Sequence, residues 1–316
     1  MKAVILTGVT PAGEVRLREA EKPETVPGWA LVKVRAFGLN HSEKLLRLDE
    51  IRADYIKKPI IPGIECAGTV ADPSDTRFRR GQTVIAMMGG MGRSFDGSYA
   101  EYTLLPANRV FAAETALPWA QLGAVPETFY TAWGSLFESL RLVPGDALLV
   151  RGASCALGHA AVQLAKALGC KVIATARRAE KLPALRALGA DECLLDDGVL
   201  RGKARADKAL ELVGPKTLGD TLLCMNRGGV VCNTGNLGGV YRLGRFDPIK
   251  DIPNGVYLTG FFSNYPTQAA VDAMFAFLNG HRIAPGVGAV FPFSKIAEAC
   301  AALDEGTADG KIVVTL

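Results

Sequence analysis

The sequence predicts an α/β fold that combines a β-rich lobe with a domain built on a doubly wound parallel sheet. Short strands separated by Pro and Gly turns fill the first third of the chain, and from about Leu122 strands alternate with helices. Parallel strands need such helical crossovers between them. The 316 residues also exceed what one hydrophobic core usually organises, so two domains are expected.

The β-rich lobe is predicted from alternating apolar and polar residues. Trp29–Gly38 shows this period of two most clearly, and Thr83–Met87 and Tyr99–Leu105 are similar. Near the end of the chain, a helix at Ala269–Leu278 and a last strand at Lys311–Leu316 are predicted to complete the same lobe.

The second domain is predicted from a strand–helix–strand succession. Ala147–Val150 and Lys171–Thr175 are short apolar strands, and Leu157–Leu168 between them has helical spacing. These patterns assign residues 1–122 and 265–316 to the β-rich domain and residues 123–264 to the parallel-sheet domain.

Composition excludes several classes of function. The net charge is only +4 with the two signs interspersed, so nucleic acid is not an expected partner. No apolar run reaches the roughly 18 residues that a membrane span needs. With no secretory signal pattern at the start, a cytoplasmic location is expected. The seven cysteines form no C-x-x-C pair and are expected to be reduced core thiols.

A turn of small residues indicates a dinucleotide site. It lies between the strand that ends at Val150 and the following helix, where the amide groups and the helix dipole would face a pyrophosphate. An ordinary strand–helix connection is the alternative, but the surrounding βαβ unit supplies the context that this motif requires. The turn consists of Gly152, Ala153, Ser154, Cys155, Ala156, Leu157 and Gly158.

Three cations after the second strand favour NADPH over NADH. An NAD site has a carboxylate at this point to bind the ribose 2′-hydroxyl, whereas a 2′-phosphate needs positive charge. The sequence provides Arg177, Arg178 and Lys181, with no carboxylate before Glu180. The alternative is a solvated basic loop.

Several motifs in order resemble the zinc-free quinone oxidoreductases, relatives of zeta-crystallin within the medium-chain dehydrogenase/reductase superfamily. The resemblance covers essentially the whole chain and implies a GroES-like β-rich catalytic domain and a Rossmann domain, with the active site in the cleft between them. The matching motifs are Gly38-Leu39-Asn40, Pro62–Gly68, Gly97–Tyr102, Thr131-Ala132-Trp133, Gly152–Gly158, Leu210–Gly214 and Gly310–Val313. Where Cys155 and Ala156 stand, the family usually has glycine, so a positive φ there would change the turn.

The resemblance also predicts that no metal is bound. Zinc-dependent relatives have their ligands at positions that correspond here to Asn40, Ile64 and Glu127, and Asn and Ile are poor zinc ligands. A substitute set of His41, Glu65 and Glu127 is the alternative. Without a Lewis acid to stabilise an alkoxide, electron-poor quinones or α,β-unsaturated carbonyls are the expected hydride acceptors.

Individual roles come from the resemblance. Asn40 and Tyr55 are the candidate catalytic residues, as donors to the substrate; Asn40 could instead cap a turn, and Tyr55 could be an exposed loop residue. Lys311 would reach the cofactor or be a surface lysine. The remaining candidate cofactor contacts are Thr131, Thr234, Gly235, Asn236, Phe261, Phe262 and Ser263.

The sequence therefore predicts a zinc-independent, NADPH-dependent reductase of quinones or α,β-unsaturated carbonyls. An enoyl-thioester reductase and a non-catalytic, crystallin-like NADPH-binding protein are the alternatives. Relatives pair their Rossmann sheets through the last strand, here Val256–Phe262, so a homodimer is expected.

Overall fold

Fifteen strands and nine α-helices make up the chain, which the computed structural model describes from Met1 to Leu316. The strands are β1 (Lys2–Val4), β2 (Leu17–Glu19), β3 (Trp29–Gly38), β4 (Glu65–Asp72), β5 (Thr83–Met87), β6 (Tyr102–Pro106), β7 (Val110–Ala112), β8 (Ala147–Arg151), β9 (Lys171–Ala176), β10 (Glu192–Leu195), β11 (Ala206–Glu211), β12 (Met225–Asn233), β13 (Tyr257–Gly260), β14 (Val287–Pro292) and β15 (Lys311–Thr315). The helices are α1 (His41–Leu48), α2 (Trp119–Leu122), α3 (Pro126–Trp133), α4 (Ala156–Leu168), α5 (Leu182–Ala187), α6 (Leu218–Leu223), α7 (Pro248–Asp251), α8 (Gln268–Gly280) and α9 (Ile296–Glu305). None of these helices has the length and apolar character needed to cross a membrane.

The contacts divide the chain into two units. The first unit consists of Met1–Tyr130 and Asn264–Leu316, and the second of Thr131–Ser263. Residues 123–130 belong to the first unit because Ala124 packs in a buried cluster with Ala36 and Val313. The boundary between the two units thus lies later than residue 122, where strands begin to alternate with helices in the sequence. That alternation indicates where helices begin, but it does not indicate which hydrophobic core they pack against.

A seven-stranded sheet forms the centre of the first unit, in the order β14-β15-β3-β4-β5-β7, with β6 also paired to β3. The predicted strand Trp29–Gly38 is confirmed as β3, which runs antiparallel to β4, β6 and β15. In β15, Val313 lies opposite Gly38. The last segment of the chain is therefore a strand inside the sheet that the first third of the chain begins.

The second unit is a six-stranded parallel sheet in the order β10-β9-β8-β11-β12-β13. This order confirms the predicted doubly wound α/β class, since successive strands add outward from β8 on one side and from β11 on the other. The direction of winding reverses between β8 and β11. In such sheets, ligands bind at the carboxyl ends of the strands that flank the reversal.

Glu43, in the first turn of α1, is a buried carboxylate that joins two segments of the first unit. Its side chain is 1% exposed. One carboxylate oxygen accepts from the Asn40 N–H at 2.9 Å, and the other accepts from the Ile64 N–H at 2.9 Å. The carboxylate thus caps α1 and fixes the residue that precedes β4. Burial raises the pKa of Glu43 from 4.5 to about 7.

Glu43 is predicted to make the stability of the protein fall as pH rises through the window between these two pKa values. The native state holds a proton here that the unfolded chain releases, so the stabilisation is complete below about pH 4.5 and is lost as pH approaches about 7. The shift corresponds to about 3 kcal/mol in the free energy of unfolding. Denaturant unfolding measured across this window should show a flatter pH dependence for Glu43→Gln than for the wild type. Glu14→Gln, at an exposed position, is the control and should keep the wild-type slope; equal slopes in all three proteins would contradict the prediction.

Candidate functional site

The turn after β8 is held in place by β9. The Gly152 N–H donates to the Thr175 hydroxyl at 3.1 Å, and the Ala153 N–H donates to the Thr175 carbonyl at 2.8 Å. Gly152 has a φ of +83°, which favours glycine. At Gly158, a Cβ atom would lie 2.4 Å from the Ala153 carbonyl oxygen, so only glycine lets the helix approach the turn this closely.

The two departures from the family's glycines leave the turn unstrained. Cys155 is the N-cap of α4 with extended backbone (φ −91°, ψ 167°), and its Sγ accepts from the Gly158 N–H at 3.3 Å. Ala156 is the first residue of the helix. Neither residue has a positive φ, so the condition under which the turn would differ is absent. The cysteine takes the capping position that Ser or Thr usually fills.

This turn fits a pyrophosphate. The N–H groups of Ala156 and Leu157 lie in the first turn of α4 and have no acceptor within the helix. The helix dipole adds partial positive charge at the same point. Since only small side chains precede the helix and Gly158 brings it close to the turn, a phosphate can approach the backbone.

A buried arginine lies directly before the turn. Arg151, the last residue of β8, is 0% exposed and binds both carboxylate oxygens of Asp196 at 2.8 and 2.9 Å. It also donates to the Asp220 carboxylate at 2.7 Å. This cluster was not predicted from the sequence, although charged residues at or just after the ends of apolar strands are a readable signal. The arginine ties the end of β8 to the residue after β10 and to α6.

The three predicted cations follow β9. Arg177 and Arg178 are exposed, and Lys181 is half-buried in a short 3-10 turn. Arg178 pairs with Glu180 at 3.4 Å, with both side chains more than half exposed. Arg177 comes two residues after Thr175, whose carbonyl and hydroxyl hold the phosphate turn. The cations therefore stand at the same edge of the sheet as that turn.

The other candidate cofactor contacts of the second unit gather around the ends of β12 and β13. Ser135, which was not predicted as a site residue, donates to the Thr131 carbonyl at 2.7 Å and shares a hydrogen bond with the Thr234 hydroxyl at 2.9 Å. The ring of Phe261 lies against Gly134. Asn236 and Phe262 are exposed, Gly235 packs on the Leu212 backbone, and Ser263 is buried.

In the first unit, Asn40 is half-buried and contacts three buried polar side chains; these four residues, hereafter the Asn40 cluster, are Asn40, Glu65, Thr128 and Lys311. The Asn40 Nδ2 donates to Glu65 Oε1 at 2.8 Å, and its Oδ1 accepts from Lys311 Nζ at 2.5 Å. Lys311 Nζ also lies 2.6 Å from Glu65 Oε1 and donates to Thr128 Oγ1 at 2.8 Å. Glu65 and Lys311 are 0% and 2% exposed.

Gly38 makes room for the Asn40 cluster. A Cβ atom at this position would lie 2.2 Å from the Lys311 Cε and 2.6 Å from Glu65 Oε1. A glycine at the end of β3 is therefore a packing requirement of the buried ion pair. This gives a physical reason for the first residue of the Gly38-Leu39-Asn40 motif.

Lys311 does not match the alternative considered for it, whereas Tyr55 does. Lys311 is buried rather than a surface lysine, and its three N–H groups bind Asn40, Glu65 and Thr128. Tyr55 is 68% exposed, and its hydroxyl donates to Glu50 at 2.9 Å, not to any member of the Asn40 cluster. The structure thus brings Asn40 and Lys311 together and leaves Tyr55 outside their network.

The side chains at the three zinc-ligand positions do not converge as a metal site. Ile64 is a buried hydrocarbon. In the substitute set, Glu65 uses one oxygen for Asn40 and Lys311 and the other to accept from the Glu127 N–H at 2.7 Å. No group of three or more His, Cys, Asp or Glu side chains is arranged to hold a metal ion.

Comparison with known proteins reveals the same two-part organisation. Residues 26–115 match the alcohol dehydrogenase GroES-like domain, and residues 156–279 match the zinc-binding dehydrogenase family. The quinone oxidoreductase of Pongo abelii is 28% identical over 302 residues, which cover 91% of this chain and 89% of that protein. The probable acrylyl-CoA reductase AcuI of Escherichia coli (strain K12) is 31% identical over 250 residues, which cover 76% of each protein.

A solved structure agrees over the full length. The yhdH oxidoreductase from Salmonella enterica, in complex with NADP, has a TM-score of 0.85 and 26% identity and covers 100% of both chains. The second unit accordingly has a nicotinamide dinucleotide-binding fold of the Rossmann type. From these matches and the motifs of both units, the chain is an oxidoreductase that belongs to the medium-chain dehydrogenase/reductase superfamily, in its quinone oxidoreductase subfamily.

Proposed function

We propose that this protein is an NADPH-dependent reductase that passes hydride to quinones or α,β-unsaturated carbonyls without zinc. The observation that carries the proposal is the Asn40 cluster. At the first zinc-ligand position there is an amide that can donate a hydrogen bond, and beside it is an ammonium group that already balances the buried Glu65 carboxylate. A neutral donor suits an acceptor whose developing charge spreads by conjugation onto oxygen.

Each residue has a defined part in this proposal. When bound, NADPH supplies the hydride. The turn Gly152–Gly158 binds the pyrophosphate, and Arg177 and Arg178 bind the 2′-phosphate by charge-assisted hydrogen bonds. Asn40 donates from Nδ2 to the carbonyl oxygen of the acceptor.

Zinc independence is supported by the charges around Asn40. A zinc ion at this position would lie within a few ångströms of the Lys311 ammonium, whose Nζ is 2.5 Å from the Asn40 oxygen. Like charges so close in a buried environment repel strongly. Glu65, the nearest carboxylate, is already neutralised by that ammonium at 2.6 Å.

Reduction of an enoyl thioester is the second candidate function. It is favoured by the 31% identity to a relative named as an acrylyl-CoA reductase. Acrylyl-CoA is an α,β-unsaturated thioester, so its carbonyl oxygen would accept the same hydrogen bond from Asn40. The third possibility, a non-catalytic NADPH-binding protein, has no such support, since the chain belongs to a family of oxidoreductases.

Purified protein is predicted to oxidise NADPH when a quinone, an enone or an enoyl thioester is added. The assay follows the loss of nicotinamide absorbance with one representative of each class, and the ratio of kcat/KM values identifies the substrate class. Activity should persist after dialysis against a chelator, and metal analysis should find far less than one zinc per chain. Absence of turnover on all three classes would refute the proposed function, and stoichiometric zinc would refute its metal-free mechanism.

Removal of the Arg177 or Arg178 side chain is predicted to weaken the binding of NADPH and not the binding of NADH. A charge-assisted hydrogen bond contributes roughly 1.5–3 kcal/mol, so each Arg→Ala variant should raise the Kd for NADPH roughly tenfold to a hundredfold. The Kd for NADH should hardly change, because NADH has no 2′-phosphate. Arg186→Ala removes the same charge from an exposed position on α5 and is the control. Equal losses for both dinucleotides would argue against a 2′-phosphate site at these residues.

A homodimer formed through β13 is proposed as well. This strand is the edge of the parallel sheet, where unpaired backbone groups can join a second copy, and Tyr257 on it is 62% exposed. Sedimentation at micromolar concentration should give about twice the chain mass of 33.5 kDa. Tyr257→Lys, which places a charge on this edge strand, should shift the species towards the monomer. A monomeric wild type would exclude this assembly.

A further inference from the structure

The Asn40 amide has neighbours that distinguish its two ends. Its oxygen accepts from Lys311 Nζ, which can only donate hydrogen bonds. One N–H of its amide nitrogen donates to the Glu65 carboxylate, which can only accept when ionised. The second N–H has no partner in the structure.

The reversed orientation of the amide is excluded by the same neighbours. A 180° rotation would point the NH2 group at the Lys311 ammonium and the oxygen at the Glu65 carboxylate. Both contacts would then pair donor with donor or acceptor with acceptor, and burial makes such mismatches costly. The amide is therefore held in one orientation.

The two neighbours are themselves fixed. The remaining N–H of the ammonium is taken by Thr128 at 2.8 Å, and the second oxygen of Glu65 accepts from the Glu127 N–H at 2.7 Å. Gly38 leaves no free volume beside them, since a Cβ there would meet both side chains. Neither the lysine nor the glutamate can turn away from Asn40 without leaving a buried charge unpaired.

We propose that Lys311 and Glu65 are positioning residues that lock the Asn40 amide so that it offers only an N–H to the substrate. The lock makes the position a pure hydrogen-bond donor and selects acceptors that present an oxygen lone pair, such as a quinone, ketone or thioester carbonyl. It disfavours a substrate group that must donate. This inference rests on the proposed function for the identity of the substrate, whereas the orientation of the amide is a property of the protein alone.

The experiment compares the wild type with the double variant Lys311→Met/Glu65→Gln. Removing both charges avoids leaving one of them buried and unpaired, which could unfold the single variants. The matched control is Lys295→Met/Glu298→Gln, which removes an exposed ion pair with a separation of 3.2 Å. Circular dichroism and the Kd for NADPH verify that each variant is folded and binds the cofactor.

The first readout is independent of activity. Protein labelled with ¹⁵N at asparagine should give two side-chain amide protons for Asn40 that exchange with water at different rates, identified by their loss in Asn40→Ala. One is shifted downfield and protected from exchange by Glu65, and the other exchanges rapidly. In Lys311→Met/Glu65→Gln the two should exchange alike, whereas the control keeps the difference. Equal exchange rates for the two protons in the wild type would overturn the lock, whether or not the enzyme turns over.

The second readout is kinetic. Asn40→Ala should lower kcat about a hundredfold in the wild type, as expected for loss of a donor to developing charge. Lys311→Met/Glu65→Gln should lower kcat about tenfold through misorientation of the amide, with the KM for NADPH unchanged. Adding Asn40→Ala to that variant should then cost less than about threefold, because the amide is no longer aligned. A full hundredfold loss there would overturn the positioning role. Absence of turnover in the wild type, with one of the two amide protons protected from exchange, would refute the proposed function and not the lock.

Discussion

The buried ion pair between Lys311 and Glu65 is the constraint on which the arrangement of the first unit depends. Removing an ammonium and a carboxylate from water costs several kcal/mol for each group, and their attraction offsets this only if the remaining hydrogen-bonding positions are also filled. Here they are filled by Asn40, Thr128 and a backbone N–H. The pair therefore determines where the start of α1, the start of α3 and the beginning of β15 must lie. A buried ion pair contributes less to net stability than to specificity, since alternative packings would leave a charge unpaired.

The second unit uses buried charge in a similar way. Arg151 ends the strand before the phosphate turn, and Asp196 and Asp220 bind its guanidinium. Glu211, the last residue of β11, accepts from the N–H groups of Val213 and Gly214 in the loop that follows this strand. These contacts hold the loops at the carboxyl ends of the sheet, where cofactor and substrate loops of such folds lie. In both units, buried charges fix the backbone at positions where chemistry is expected.

Local signals predicted the fold well. The alternation of apolar and polar residues predicted β3 with its observed bounds. The succession of strand, turn and helix around Gly152 predicted β8, α4 and β9 to within about one residue at each end. These patterns depend on neighbours within a few residues, which the sequence displays directly.

The Asn40 cluster could not be predicted in this way, because the Lys311 to Asn40 contact joins residues 271 positions apart. A lysine before a strand has the same local appearance whether its ammonium is solvated or buried, so only the paired topology of β15 and β3 decides. Glu43 was not predicted either, although Asn40 followed three residues later by Glu has the spacing of a capping box.

The position of β15 beside β3 has a consequence for how the protein is made. Glu65 and Gly38 emerge from the ribosome early, and the strand that carries Lys311 emerges only after the whole of the second unit. During that interval the first unit has a carboxylate at its centre without its counter-ion, and β3 lacks one of its partners. The continuous second unit can complete its sheet during synthesis, whereas the first must stay open. The second unit therefore has its whole sequence available before the Asn40 cluster, which needs β15, can form.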